Sequence, residues 1–258
     1  MSSILQFMIE GVSALYIGHS LVSPTLPEMM RDVLDAPVEF QILNGAPLEL
    51  QWKESANAQG VNGREWLPGN PVDILVLTER VPLATTIEYH ASSQYAADWI
   101  KAAAAANPKV QTYLYETWDD IDDKATGSTK AWRDRIVSDL PLWQGIVDDA
   151  NAQLPEGTQP MKLIPAGLGM VRLHDAVAEG KVPGAATIRD FFRDDIHPTD
   201  AGFYYVAMIH YATLTGKSPV GLPAQLDGAY GPYPAVPKDQ ATALQQLAQD
   251  TVQEFNAK

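Results

Sequence analysis

No cysteine occurs anywhere in the 258 residues. That absence excludes disulfides, thiol nucleophiles and thiolate metal sites together. It leaves the compartment open: a bacterial periplasmic or secreted protein with its leader removed fits as well as a cytoplasmic one. Basic residues are scarce too, with 18 Lys and Arg against 32 Asp and Glu and a formal net charge of −14. Such a surface repels phosphate backbones, so nucleic acid is excluded as a partner class. Long apolar runs are missing, and none approaches the roughly 18 to 20 residues a membrane span requires. The opening MSSILQFMIEGVS has no basic n-region and carries an acid at Glu10, so it does not read as an intact signal peptide.

What is present is enough for a sizeable core, since 46% of the residues are hydrophobic. Five short runs read as buried strands: 14–18, 38–43, 72–77, 110–115 and 161–165. They are apolar almost throughout, as in a parallel sheet covered on both faces. Helical patterns lie between them. One covers 24–34; another covers 93–106, with Trp99, Ile100 and Ala103 on one stripe and Asn107-Pro108 as its stop. Trp132, Ile136, Leu140, Trp143 and Val147 recur at helical spacing, and Pro141 predicts a kink or a split there. A helix follows over 167–180, then one over 201–215, with Thr199 or Asp200 as its cap and Gly216 as its end.

The chain closes with a proline-rich segment, 217–237, and a last helix, 238–258, expected to pack back on the rest of a single domain. Alternation of strand and helix predicts a doubly wound α/β fold around a five-stranded, mostly parallel sheet. Functional groups in such sheets gather beyond the carboxyl ends of the strands.

Those ends hold the reactive residues. The first strand runs into Gly18-His19-Ser20, the second into Asn44-Gly45, the third into Thr78-Glu79-Arg80 and the fourth into Glu116-Thr117-Trp118. Late in the chain, Asp194-Asp195-Ile196-His197 precedes a helix. A serine attacks at neutral pH only when a neutral imidazole takes its proton and a carboxylate holds that imidazole in the right tautomer. Ser20, His197 and Asp194 supply those three groups, with Asp195 the rival acid. An oxyanion hole is also required, and the N–H groups of Ser20 and Gly45 are its candidates, with Asn44 or Arg80 as a third donor.

These residues resemble the SGNH (GDSL-type) hydrolase superfamily over roughly 14–223. Its blocks are a serine after the first strand, a glycine after the second, an asparagine after the third, and D-x-x-H near the C-terminus. Here IGHSL matches the first, with His19 where aspartate is commoner; LNGAP matches the second and DDIHPTDAG the last. The third block departs, because LTER stands where G-x-N-D is usual and the asparagine donor is missing. The resemblance implies a flavodoxin-like hydrolase fold and a serine esterase without cofactor or metal. It also implies substrates among short-chain carboxylic esters, O-acetyl groups on carbohydrates included.

His19, Glu79, His90 and Trp118 are expected against the substrate. Three alternatives stand beside the esterase: an acyltransferase with the same triad, a glycosidase built on Glu79 and Glu116, and a non-catalytic carbohydrate-binding domain. The run TWDDIDD lacks the glycine and final glutamate of a calcium loop and reads as solvated acidic surface.

Overall fold

The computed structural model describes residues 13–124 and 126–257. The stretch read above for a leader lies, but for Ser13, outside them. The strands are β1 (Ala14–Gly18), β2 (Val38–Ile42), β3 (Gln59–Gly60), β4 (Ile74–Leu77), β5 (Gln111–Tyr115) and β6 (Lys162–Ile164), in the order β3-β2-β1-β4-β5-β6. The five expected strands pair in parallel, while β3 adds a short antiparallel edge, so the sheet has six strands and not five. Sequence reasoning missed β3 because both its residues are exposed and two positions carry no period.

The strands bury both faces, and the period of two sorts their side chains into two cores. Ala14, Tyr16, Val76 and Tyr115 face one core, formed with helices α1 (Thr25–Leu34), α7 (Ala166–Ala178), α8 (Asp200–Thr215) and α9 (Lys238–Asn256). Leu15, Ile17, Leu77 and Leu114 face the other, formed mainly with α5 (Ser92–Ala106) and the carboxyl-terminal half of α6 (Lys130–Asn151). The result is a doubly wound α/β/α sandwich. Two short helices, α2 (Leu48–Lys53) and α4 (Leu83–Tyr89), follow β2 and β4, and α3 (Gly63–Trp66) follows β3.

Pro141 lies inside α6 without splitting it. Proline leaves the carbonyl four residues back without its helical donor; Pro141 and Val137 are both exposed, on the face of the helix where a lost bond costs least. Thr199 caps α8, accepting a hydrogen bond from the Gly202 N–H, and Gly216 ends it with φ 67°. Helix α9 packs on α8 and α7, with Leu244, Ala248 and Val252 buried. Among the described residues no helix is long and apolar enough to cross a membrane.

Chain order reverses between β1 and β4: from β1 the chain moves outward to β2 and later returns to the other side of β1. A crevice opens beyond the carboxyl ends of the strands at such a switch. Ser20 sits there.

Candidate active site

Gly18 ends β1 against Thr78 and Val22; a Cβ on it would lie 2.5 Å from Thr78 Cγ2 and 2.7 Å from Val22 Cγ2. Only a glycine lets the chain leave the sheet that tightly. The chain then makes one turn, with the Val22 N–H donating to the His19 carbonyl at 2.9 Å, and Ser23 closes it at φ 47° before α1 begins at Thr25. Ser20 therefore stands in a turn of its own and does not cap α1.

The partner loop is equally tight. The Arg193 N–H donates to the His197 carbonyl at 2.9 Å, and Phe192 and Pro198 form a β-bridge at its neck. Within it Asp194 Oδ1 accepts from the N–H groups of Ile196 (2.9 Å) and His197 (2.7 Å), while Oδ2 lies 2.8 Å from His197 Nδ1. The other ring nitrogen, Nε2, is 2.9 Å from Ser20 Oγ. Partial desolvation pushes the Asp194 carboxyl up, but the two backbone donors and the imidazole outweigh it and hold the group down at about 2. A carboxylate only accepts, so Nδ1 carries the proton and Nε2 keeps its lone pair for the serine hydroxyl. The order hydroxyl, imidazole, carboxylate is the one a serine nucleophile needs.

A cleft of about 280 Å³ opens over this group, lined by Ser20, Asn44, Gln59, Arg193, Asp194 and His197, with Ser23 and Pro24 at its side. The N–H groups of Ser20 and Gly45 have no acceptor among the described residues. Gly45 adopts φ +67° in the turn after β2, which favours glycine there, and beside it Asn44 lines the cleft.

Four expected contacts are corrected. His19 is 3% exposed; its Nε2 donates to the Glu79 carbonyl at 3.0 Å, and burial pushes its imidazole down to about 4, so it is a neutral strut of the turn. Glu79 is wholly buried and accepts on Oε1 from the N–H of Leu48 at the start of α2 and from that of Arg80. His90 pairs through Nδ1 with Glu49 Oε2 at 2.7 Å and is not in the cleft. Trp118 is 1% exposed, between Tyr115 and Phe192, with its indole N–H on the Ile196 carbonyl at 2.9 Å.

Arg80 is corrected as an oxyanion donor as well. Its backbone N–H is taken by Glu79, its Nε bonds Thr86 Oγ1 at 3.2 Å, and it does not line the cleft. Glu116, like Glu79, is 0% exposed, so the two carboxyls of the glycosidase alternative have no access to a sugar.

The acidic run is solvated surface only at Asp120 and Asp122, which are exposed. Asp119 is buried near Arg135, and Asp123 belongs to a clamp around the His197 loop. Arg189 is the centre of that clamp. Its Nε and Nη2 bond the two oxygens of Asp123 at 3.1 and 2.5 Å, Nη2 also reaches the Ile121 carbonyl (2.9 Å), and Nη1 reaches Asp195 Oδ1 (2.9 Å) and the Asp194 carbonyl (3.3 Å). All five guanidinium N–H donors are thus used. Asp195, the rival acid, is spent on Arg189 and Lys124.

On the serine side, Gln51 Nε2 donates to the carbonyls of Gly18 (2.5 Å) and Leu43 (3.0 Å), tying together the ends of β1 and β2. Sequence reasoning missed Arg189 and Gln51 because two of the five Arg189 bonds and both of the Gln51 Nε2 bonds go to backbone carbonyls, which have no sequence signature. Arg189→Lys keeps the charge but loses the fork. It is expected to lower kcat by about 10²-fold through misplacement of the imidazole; steady-state kinetics separating kcat from KM checks it.

Among the described residues no cluster of His, Asp and Glu is arranged to hold a metal ion.

No family model and no curated protein matches the chain. Solved structures do. A DUF4886 family protein from Bacteroides uniformis superposes with a TM-score of 0.65 at 15% identity, covering 95% of this chain and 96% of that one. A carbohydrate esterase family 3 protein from Talaromyces cellulolyticus gives a TM-score of 0.47 at 16% identity, covering 80% and 97%. A protein from Parabacteroides merdae described as a GDSL-like lipase gives 0.48 at 15% identity, covering 80% and 96%. At such identities the likeness is one of fold.

Proposed function

We propose that the protein is a serine hydrolase of the SGNH type that cleaves short-chain carboxylic esters. The carrying observation is the continuous chain of hydrogen bonds from Ser20 Oγ through His197 to Asp194 at the floor of an open cleft. Ser20 Oγ attacks the ester carbonyl while His197 Nε2 takes its proton. The negative charge moves to the carbonyl oxygen, which the N–H groups of Ser20 and Gly45 and the Asn44 amide receive. Losing one such donor typically raises the barrier by about 3 to 4 kcal/mol.

Asp194 stabilises the imidazolium without taking its proton. The tetrahedral adduct collapses, the alkoxide leaves with the proton from Nε2, and the acyl group stays on Ser20. Water then enters, gives a proton to Nε2 and releases the carboxylic acid by the reverse route.

The small cleft and its polar lining support a short acyl group and a polar alcohol, which suits O-acetyl groups on carbohydrates. A purely binding domain gains nothing from a serine hydroxyl aimed at an imidazole that a carboxylate keeps in one tautomer.

Hydrolysis of p-nitrophenyl acetate tests the reading. The wild type is expected to turn it over, and Ser20→Ala to lose roughly 10⁴-fold or more in kcat. Equal rates for the two proteins would discard the proposal.

A further inference from the structure

The chain is strongly acidic, yet the cleft carries a guanidinium that makes no hydrogen bond or ion pair with any described residue. Arg193 lines it beside His197 and Asp194. Every other arginine engages a carboxylate, carbonyl or hydroxyl through its guanidinium, whereas that of Arg193 has no partner among the described residues. Its backbone is fixed all the same, through the N–H to the His197 carbonyl at 2.9 Å. The neighbouring acids are already committed. Asp194 has both oxygens on its own loop, and Asp195 has both on Arg189 and Lys124. Gln59, reaching the cleft from the edge strand β3, likewise has no side-chain hydrogen-bond partner among the described residues.

A free guanidinium is a planar fork of donors, matched to a carboxylate by two parallel hydrogen bonds. At ionic strengths near 0.1 M the field of the distant surface acids is screened over about 10 Å, so the cleft's own groups decide what it attracts, and Arg193 is the cation whose donors are free among the described residues. Position narrows the choice further. The acyl oxygen faces the N–H groups of Ser20 and Gly45, while the departing alcohol must lie against His197 Nε2 to collect its proton. Arg193 belongs to the His197 loop and so borders the alcohol's side.

We infer that the cleft selects esters whose alcohol part bears a carboxylate, the esters of hydroxy acids and sugar acids, with Arg193 as the anchor and Gln59 as a second donor. This rests on the ester-hydrolase reading of the same cleft and names its substrate class.

The test compares two acetyl esters that differ in one charge, 3-acetoxybenzoate and 3-acetoxybenzamide. The wild type is expected to favour the carboxylate by about tenfold in kcat/KM, mainly through KM, and to lose that preference as salt rises. In Arg193→Gln the ratio between the two esters should fall to near one, and Arg193→Lys should restore part of it. A wild-type ratio of one or less, or a ratio unchanged in Arg193→Gln, overturns the inference.

Calorimetric binding of the products, 3-hydroxybenzoate and 3-hydroxybenzamide, separates it from the esterase reading. If neither ester is turned over but the wild type binds the benzoate better than Arg193→Gln does, the anion site stands and the esterase falls. If neither ester is turned over and the two proteins bind alike, both fall.

Discussion

Asp194→Asn is expected to lower kcat on a short-chain ester by about four orders of magnitude, with KM little changed and the fold intact. The asparagine carbonyl can still accept from the N–H groups of Ile196 and His197, the two bonds that shape the loop. Its amide nitrogen, however, would face His197 Nδ1, where Asp194 Oδ2 now lies at 2.8 Å. A donor there drives the ring proton to Nε2, and the nitrogen facing Ser20 Oγ can no longer accept. The side chain keeps its shape and the tautomer is reversed. Kinetics on p-nitrophenyl acetate, with a melting curve to show that the variant is folded, checks this; a loss below about tenfold would mean that Asp194 does not set the tautomer.

Glu116→Gln is expected to change how stability depends on pH. Glu116 is fully buried at the end of β5, where Oε2 accepts from the Leu168 N–H at 3.1 Å near the start of α7 and Oε1 has no partner. Burial pushes its carboxyl up to about 8, against the pull of the α7 N–H groups. Below the usual value of 4.5 both folded and unfolded chains hold the proton, and the group costs nothing. Between that value and about 8 the unfolded chain ionises while the folded one stays protonated, so stability falls as pH rises. Converted at about 1.4 kcal/mol per tenfold displacement, the loss is up to about 5 kcal/mol across that window.

The amide cannot ionise, and its nitrogen would occupy the place of the unpartnered oxygen. Across that window the melting temperature of the wild type should therefore fall by roughly 10 °C relative to that of the variant. Parallel melting curves across the window measure it, and identical slopes would show that Glu116 is not protonated in the fold. Two buried histidines act with the opposite sign, alike in both proteins, so they cancel from the comparison. His19 and His210, pushed down by burial to about 4 and about 3, must charge on unfolding, so stability rises with pH up to their usual 6.5.

The sheet was largely legible in the sequence because its parallel strands are buried on both faces and read as apolar runs. The same burial hid the roles of the polar residues at the strand ends. His19, Glu79, Glu116 and Trp118 all follow strands on the side where reactive groups gather, and their types suit substrate contact. The turns after the strands send their side chains inward, where each supports a loop or a helix start. Sequence spacing locates the rim but does not tell which residue turns into the cleft. Ser20, Asp194 and His197 stood out because their chemistry requires one another. Gln59 and Arg193, exposed and unpatterned, did not.

The most direct test of the account is covalent capture. The protein is incubated with a fluorophosphonate probe, digested, and the modified residue located by mass spectrometry. The account predicts a single adduct on Ser20 Oγ that disappears in His197→Ala. No adduct, an adduct on another residue, or undiminished labelling of the His197→Ala protein would contradict it.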